Sequence, residues 1–167
     1  MNPHVKLAQF GKELLKHGSL EEAIPLISEY AKELSGAKRC SIYIYDNDTK
    51  ELWTTLADGI EKIHLKADEG IAGHTLQKAQ PILENTPYKN PSFKQDVDKE
   101  SGFITENIAS LPIFDSTRRV IGILQLLNKK EGFDTKDLRT MTFFAHYVSS
   151  YLELAIFYER NNASLLE

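Results

Sequence analysis

The residues best placed to meet a small anion are Gly70-Ile71-Ala72-Gly73. Two glycines and an alanine at the start of a predicted helix leave the backbone N–H groups uncrowded, and the helix dipole adds positive potential at the same end. A phosphate or a carboxylate would be stabilised there. The same glycines serve equally well to pack a short helix tightly on a sheet, and from sequence both readings stay open. Other chemistry finds less support. The five histidines, His4, His17, His64, His74 and His146, include no pair at i, i+4 with a third ligand, so no metal centre is expected. A single cysteine, Cys40, excludes an internal disulfide, a multi-cysteine zinc site and any redox cycle that needs a resolving thiol. Carboxylates are numerous, but none are spaced as an acid/base pair, and no phosphate-loop or nucleophile-elbow motif occurs. The sequence carries no catalytic apparatus, and the expectation is that the protein is not an enzyme.

The elements that must hold such a site can be read from periodicity. Leu7, Phe10 and Leu14 form a narrow helical stripe over Val5 to Lys16. Ser19-Leu20-Glu21-Glu22 is a capping box that opens a second helix, with Gly36 as its stop. The period then changes. Cys40 to Tyr45 is β-branched and aromatic, Asp46-Asn47-Asp48 is a turn, and Glu51 to Leu56 completes a hairpin. Asp58-Gly59 is a turn, and Ile60 to Lys66 alternates as a third strand. Gly70 opens a short helix that Pro81 terminates, and Pro81 to Leu83 is a brief strand. Asn85 to Gly102 is long, polar and interrupted by Pro87 and Pro91, and connections of that kind are often functional; Pro91 to Lys99 is its candidate helix. Asn107 to Phe114 and Arg119 to Lys129 read as central strands, and Thr135 to about Glu159 as a long helix.

The corner before that helix is sharply specified. Asp134 is placed as its N-cap, Phe133 and Leu138 as a hydrophobic staple, and Asp137 in the first turn, with Lys129 at the strand end as its partner. The order of elements predicts an α+β fold: one mostly antiparallel sheet of about six strands, terminal helices on one face, and a short helix with a long lid loop on the other. A sheet face covered by a loop rather than by rigid helices is where a pocket is expected.

These motifs, taken together and in order, resemble the GAF domain family, and more narrowly the GAF domains of cyclic-nucleotide phosphodiesterases and bacterial adenylyl cyclases. The resemblance runs from about Leu20 to Ala155. It rests on Asn128-Lys129, Phe133 and Asp137, with Leu138 departing from the family's final Glu. It rests also on Cys40-Ser41, Ala57-Asp58-Gly59, residues 67–74 (ADEGIAGH), residues 98–107 (DKESGFITEN), Leu111-Pro112-Ile113 and Val120-Ile121-Gly122. The resemblance implies a regulatory domain that binds a small ligand, with cyclic AMP or cyclic GMP the leading candidate, and signals through its terminal helices. It implies a pocket formed by Ser41, Asp58, the backbone of Ile71 and Ala72, then Lys94, Asp98, Ser101 and Thr105 from the lid, and Gln125 from a central strand. Ala57 stands where some members place an aromatic ring on a purine. Two alternatives follow from the same resemblance: a ligand-free dimerisation module, or a haem or chromophore sensor using His64, His74 or His146. Cys40 lies outside the lid region that carries the pigment thiol of bilin-binding members, and a buried structural thiol is its expected state.

The remaining expectations concern partners and place. In the last helix Leu138, Met141, Ala145, Val148, Leu152 and Ala155 form the face expected to meet the sheet. Phe143, Tyr147, Leu154 and Phe157 form a second stripe, which either Val5 to Lys16 or a second subunit must cover. A homodimer is the preferred reading. The domain division expected is 1–18 as an N-terminal helix, linker or dimer helix, 19–160 as the GAF domain, and 161–167 as a C-terminal tail or the start of a linker to an output domain absent from this chain. A net charge of −4 argues against nucleic acid. No apolar run approaches the roughly 20 residues of a membrane span. Met1 to Phe10 carries no signal-peptide core, from which a cytoplasmic protein is expected.

Overall fold

The computed structural model describes residues 2–17, 19–55 and 62–165. The chain begins with α1 (Pro3–Leu14), whose N-cap Asn2 accepts from the His4 N–H at 2.9 Å. α2 (Leu20–Ser35) follows, and Ser19 accepts from the Glu22 N–H at 3.3 Å. Only half of the capping box forms, because the Glu22 carboxylate lies against His17, 3.3 Å away. The first three strands are β1 (Ala37–Asp46), β2 (Glu51–Thr55) and β3 (Lys62–Lys66). Then come α3 (Gly70–Lys78), β4 (Ile82–Glu84), α4 (Asp96–Ser101), β5 (Ile108–Phe114), β6 (Val120–Lys129) and α5 (Thr135–Leu165).

The six strands form one antiparallel sheet in the order β3-β2-β1-β6-β5-β4. β1 and β6 are the central pair, in register from Ala37↔Lys129 to Ile44↔Gly122. Successive side chains of a strand point to opposite faces, and here both faces are covered. On one, Ile42, Ile44, Leu111, Ile113, Leu124 and Leu126 join Ile24 and Ile27 of α2 and Met141, Phe144, Val148 and Leu152 of α5 in the main core. Phe10 and Leu14 of α1 extend that core, and Phe10 stacks on Tyr30. On the other face a smaller cluster of Leu52, Ala72 and Ile123 receives α3. The placement of the terminal helices on one face and of α3 and the lid on the other follows the sequence reading.

Several boundaries differ from it: α1 spans Pro3–Leu14 rather than Val5 to Lys16, β4 spans Ile82–Glu84 rather than Pro81 to Leu83, and three further differences have a visible cause. β1 starts at Ala37 rather than Cys40, since the Ser35 hydroxyl accepts from the Ala37 N–H at 3.2 Å and starts the pairing with β6. The lid helix does not start at Pro91: the Asn90 side chain accepts from the Ser92 N–H at 2.8 Å and bends the chain there. A 3₁₀ turn (Pro87–Lys89) stands before that bend, and α4 begins only at Asp96. Finally, α5 runs past Glu159 to Leu165. Glu159 accepts from the Leu20 N–H at 3.1 Å and so ties this extra length to the start of α2.

At the corner between β6 and α5 the local reading holds. Asp134 Oδ1 accepts from the N–H groups of Lys136 and Asp137, both at 2.9 Å. The Asp137 carboxylate reaches back to the Asp134 N–H at 3.0 Å and is ion-paired with Lys129. This is a capping box with Asp as its second member. Phe133 is buried, and Leu138 packs on the same core.

Candidate functional site

α3 is docked before anything else can be built on it. The Thr75 hydroxyl donates to the Ile71 carbonyl at 2.8 Å and accepts from the Ser110 hydroxyl at 2.7 Å, fastening the helix to β5. Its two glycines have separate explanations. Gly70 has φ +67°, a left-handed conformation that glycine adopts without strain. A Cβ on Gly73 would lie 2.8 Å from the Asp68 carbonyl carbon and 2.9 Å from the Ala67 oxygen, so only glycine lets the helix approach the chain leaving β3. Of the two readings open from sequence, tight packing accounts for Gly73 fully.

Between α3, the lid and the sheet lies a cavity of about 740 Å³, within the range of small-molecule sites. Ser41, Ile71, Ala72, Lys94, Asp98, Thr105 and Gln125 all line it. Strand alternation puts Ser41 and Gln125, which are directly paired, on the same face. Asp58 lies outside the described residues, as does Ala57. The backbone of Ser101 closes α4, but its side chain lies outside them too.

Several of these polar groups are already engaged with the protein. Asp98 Oδ2 accepts from the Tyr88 hydroxyl at 2.6 Å and from the Thr105 N–H at 2.7 Å, and Oδ1 accepts from the Thr105 hydroxyl at 2.8 Å. Asp98 thus joins α4 to the 3₁₀ turn before it and to the segment after it. The hydrogen bond to Asp98 also pushes the Tyr88 phenol up. Lys94 donates to Glu69 at 2.7 Å and holds that carboxyl below the usual range. Glu69 is therefore a neighbour of the α3 N-terminus that the sequence reading missed. Ser41 hydrogen-bonds Tyr43 on the same face, and burial pushes the Tyr43 phenol up. Burial likewise raises the Cys40 thiol to about 12, against an opposing hydrogen bond from Ser28, so the thiol is inert at neutral pH.

Arg39 also lines the cavity and lies over the Phe103 ring, 3.7 Å from its centroid, bridging β1 to the chain after α4. Arg39, Thr54, Thr55, Ile63 and Leu65 were missed. Arg39 shares the parity of Ser41 and Tyr43, and Ile63 that of Leu65, so period 2 carried on to the strand ends would have found them.

The C-terminal stem of the lid is clamped by the motif at the end of β6. Asn128 has φ +61°, is buried, donates through Nδ2 to the Ile104 carbonyl at 2.7 Å, and accepts from the Glu106 N–H at 2.6 Å. Asn107 in turn donates to the Lys129 carbonyl and accepts from its N–H, both at 2.9 Å. Asn128, Lys129, Phe133 and Asp137 lie away from the cavity lining. Among the described residues no group of three metal-ligating side chains occurs, and no histidine lines the cavity. Nor is any helix among them long and apolar enough to cross a membrane.

An antiparallel sheet with helices packed on one face, and a roofed cavity on the other, defines a class of α+β domains with room for a small molecule. Comparison with known proteins fixes the family: residues 17–153 match the GAF domain, and the chain belongs to the GAF domain family. It is similar to the probable 3′,5′-cyclic phosphodiesterase pde-5 of Caenorhabditis elegans, with 26% identity over 157 residues, 85% of this chain and 21% of that protein. The chain thus spans about a fifth of that relative's length. Its fold is similar to the GAF domain of an Acinetobacter phosphoenolpyruvate-protein phosphotransferase (TM-score 0.76, 17% identity, 96% of this chain and 99% of that one). It is also similar to the free methionine-R-sulfoxide reductase of Neisseria meningitidis (TM-score 0.70, 16% identity, 89% and 87%). The fold therefore occurs in a reductase as well as in the GAF domain of a phosphotransferase.

Proposed function

We propose that this domain is a non-enzymatic sensor whose cavity binds a small ligand, a cyclic nucleotide being the leading candidate, and that binding is relayed through the terminal helices. The observation that carries the reading is the cavity of about 740 Å³ into which Ser41, Gln125, Thr105 and the start of α3 converge. A dimerisation module without a ligand would be expected to fill that space with side chains. The likeness to pde-5, a probable 3′,5′-cyclic phosphodiesterase, supports the cyclic-nucleotide version. In this version the phosphate meets the backbone of Ile71 and Ala72, Lys94 exchanges its Glu69 carboxylate for the ligand, and the lid from Asn85 to Gly102 orders over it. Only unequal affinity for the two lid states shifts the helices.

The proposal includes a homodimer formed through the exposed stripe of α5, a cytoplasmic location and an output domain beyond this chain; it includes no metal, nucleic-acid partner or membrane attachment. A haem version has little to stand on, because its nominated histidines do not line the cavity, and His64 lies 3.3 Å from Glu51 on the adjoining strand. Titration calorimetry with cyclic AMP and cyclic GMP tests the reading. The expected result is saturable heat with one of them, together with a rise in melting temperature that grows with ligand concentration. No heat and no thermal shift at millimolar ligand would remove the cyclic-nucleotide version.

A further inference from the structure

The cavity is not confined to one face of the sheet. Cys40 and Ser41 are successive strand residues and point to opposite faces, yet both line it, and so do Pro25, Ser28 and Glu29 of α2. The strand pairing explains the passage. β1 and β2 pair only through Ile44↔Trp53, Tyr45↔Leu52 and Asp46↔Glu51. Thr54 and Thr55 pair onward to β3, and the first half of β1 pairs with β6. Among the described residues the two strands therefore part beyond Ile44, and α2 floors the gap.

At the parted end of β2 stands Thr55. It lines the cavity and is 7% exposed, and its Oγ1 is buried with no hydrogen-bond partner among the described residues. A buried hydroxyl without a partner is unfavourable relative to one in water, so its persistence calls for a reason. Of the charged groups that line the cavity, Lys32 is 2.6 Å from Glu29, Lys94 is 2.7 Å from Glu69, Asp98 is taken by Tyr88 and Thr105, and Arg39 lies over Phe103; Lys38 lines it as well. Thr55 shares the parity of Trp53, which packs on the main core, so its hydroxyl faces the α2 side near Pro25 and offers hydrogen-bonding capacity rather than charge.

We propose that the gap between β1 and β2 is a distinct subsite of the cavity, in which the Thr55 hydroxyl holds a neutral hydrogen-bonding group of the ligand, an amide or a nitrogen heterocycle, against α2. This rests on the ligand-binding reading above. It adds the class of group taken and a direct contact between ligand and α2, on the other side of the sheet from α3.

Benzamide, a neutral amide on an apolar ring, is the probe. Titrated into the ¹⁵N-labelled full chain, it is expected to shift the amides of Thr55, Ser28 and Cys40 saturably. Thr55→Val keeps the branched strand side chain and removes the hydroxyl. It is expected to weaken benzamide binding by about tenfold or more, equivalent to about 1.4 kcal/mol, while Thr55→Ser retains it. With no ligand present, Thr55→Val is expected to raise the melting temperature, because a methyl replaces an unpartnered hydroxyl. A hydroxyl with a structural role would give a lower one. Equal affinity in Thr55→Val, shifts confined to Ile71 and Ala72, no shifts at all, or a lowered melting temperature would overturn the proposal. A chain that binds benzamide at these amides and neither cyclic nucleotide keeps the subsite and loses the cyclic-nucleotide version; the reverse loses the subsite alone.

Discussion

Asn128 does three things at one position. It ends β6 in the left-handed region, and its amide both donates to and accepts from the stem of the lid. Asn tolerates that backbone better than most residues, and a side chain without the amide would leave the Ile104 carbonyl and the Glu106 N–H unmatched in a mostly buried corner. Asn128→Ala is expected to destabilise the fold by about 2–4 kcal/mol in urea unfolding, and Asn128→Gly by less, since glycine relieves the backbone while still losing the amide. Equal losses would mean that the backbone conformation contributes nothing.

Asp115 carries a comparable local network: it accepts from the N–H groups of Thr117 and Arg119 at 2.8 and 2.9 Å, and these bonds hold its carboxyl down at about 2. A carboxyl depressed in the fold stabilises it fully above its unfolded value, 3.8, and loses that contribution as pH falls through the folded one. Asp115→Asn is therefore expected to flatten the decline of melting temperature between about pH 4 and pH 2. Asp134, lowered in the same sense by the Asp137 N–H, adds to the acid lability that remains.

For the elements, what the sequence made legible were features settled within a few residues. The Ser19 and Asp134 caps, the period-2 strands and the helix opening at Gly70 stand as read. What was not legible depends on partners distant in the chain. The strand was read from Cys40, where the β-branched and aromatic run begins, yet pairing with β6 extends it back through Lys38 and Arg39, and Arg39 lines the cavity. Asp98 was nominated for a ligand, but its oxygens are taken by Tyr88 and Thr105, a network that spacing does not reveal. The parting of β1 from β2 is a matter of register and leaves no mark on composition. Packing at α3 gives the element-scale prediction. With Ala67 and Asp68 backbone atoms under 3.0 Å from any Cβ at position 73, Gly73→Ala must displace the helix. It is expected to lower stability by about 1–3 kcal/mol, by the scale of overpacking, and to weaken whatever ligand uses Ile71 and Ala72. Unchanged stability, measured by the same unfolding assay, would contradict the packing account.

Across the whole molecule, α5 is two-sided. Its inner face is fully buried at Val148 and Leu152, while Phe143, Leu154, Phe157 and Tyr158 are 57–62% exposed. α1 takes up only one member of the outer stripe: the Tyr147 hydroxyl donates to the Leu7 carbonyl at 3.2 Å. Four large exposed side chains on one helix are expected to be covered by a second copy. Sedimentation equilibrium is expected to report a dimer that Phe157→Glu with Leu154→Glu converts to a monomer without loss of helical signal. A monomeric wild type at high concentration would leave the stripe to another partner.

The three bonds between α5 and the N-terminal segment also fix a direction. Along α5, Tyr147, Tyr151 and Glu159 meet Leu7, His17 and Leu20 in turn. The first helix therefore runs alongside the last in the same sense, and the second runs back between their ends. Anything joined before α1 sits at one pole of the domain, and anything joined after α5 sits at the other. Leu7 stands level with Tyr147, so the separation is set by the stretch from Tyr147 to Leu165, about 27 Å at 1.5 Å per residue, plus the first turn of α1. A chain threaded in this way is suited to stand in line between neighbours, as a vertebra does, and a twist imposed at one pole has the second half of α5 along which to reach the other.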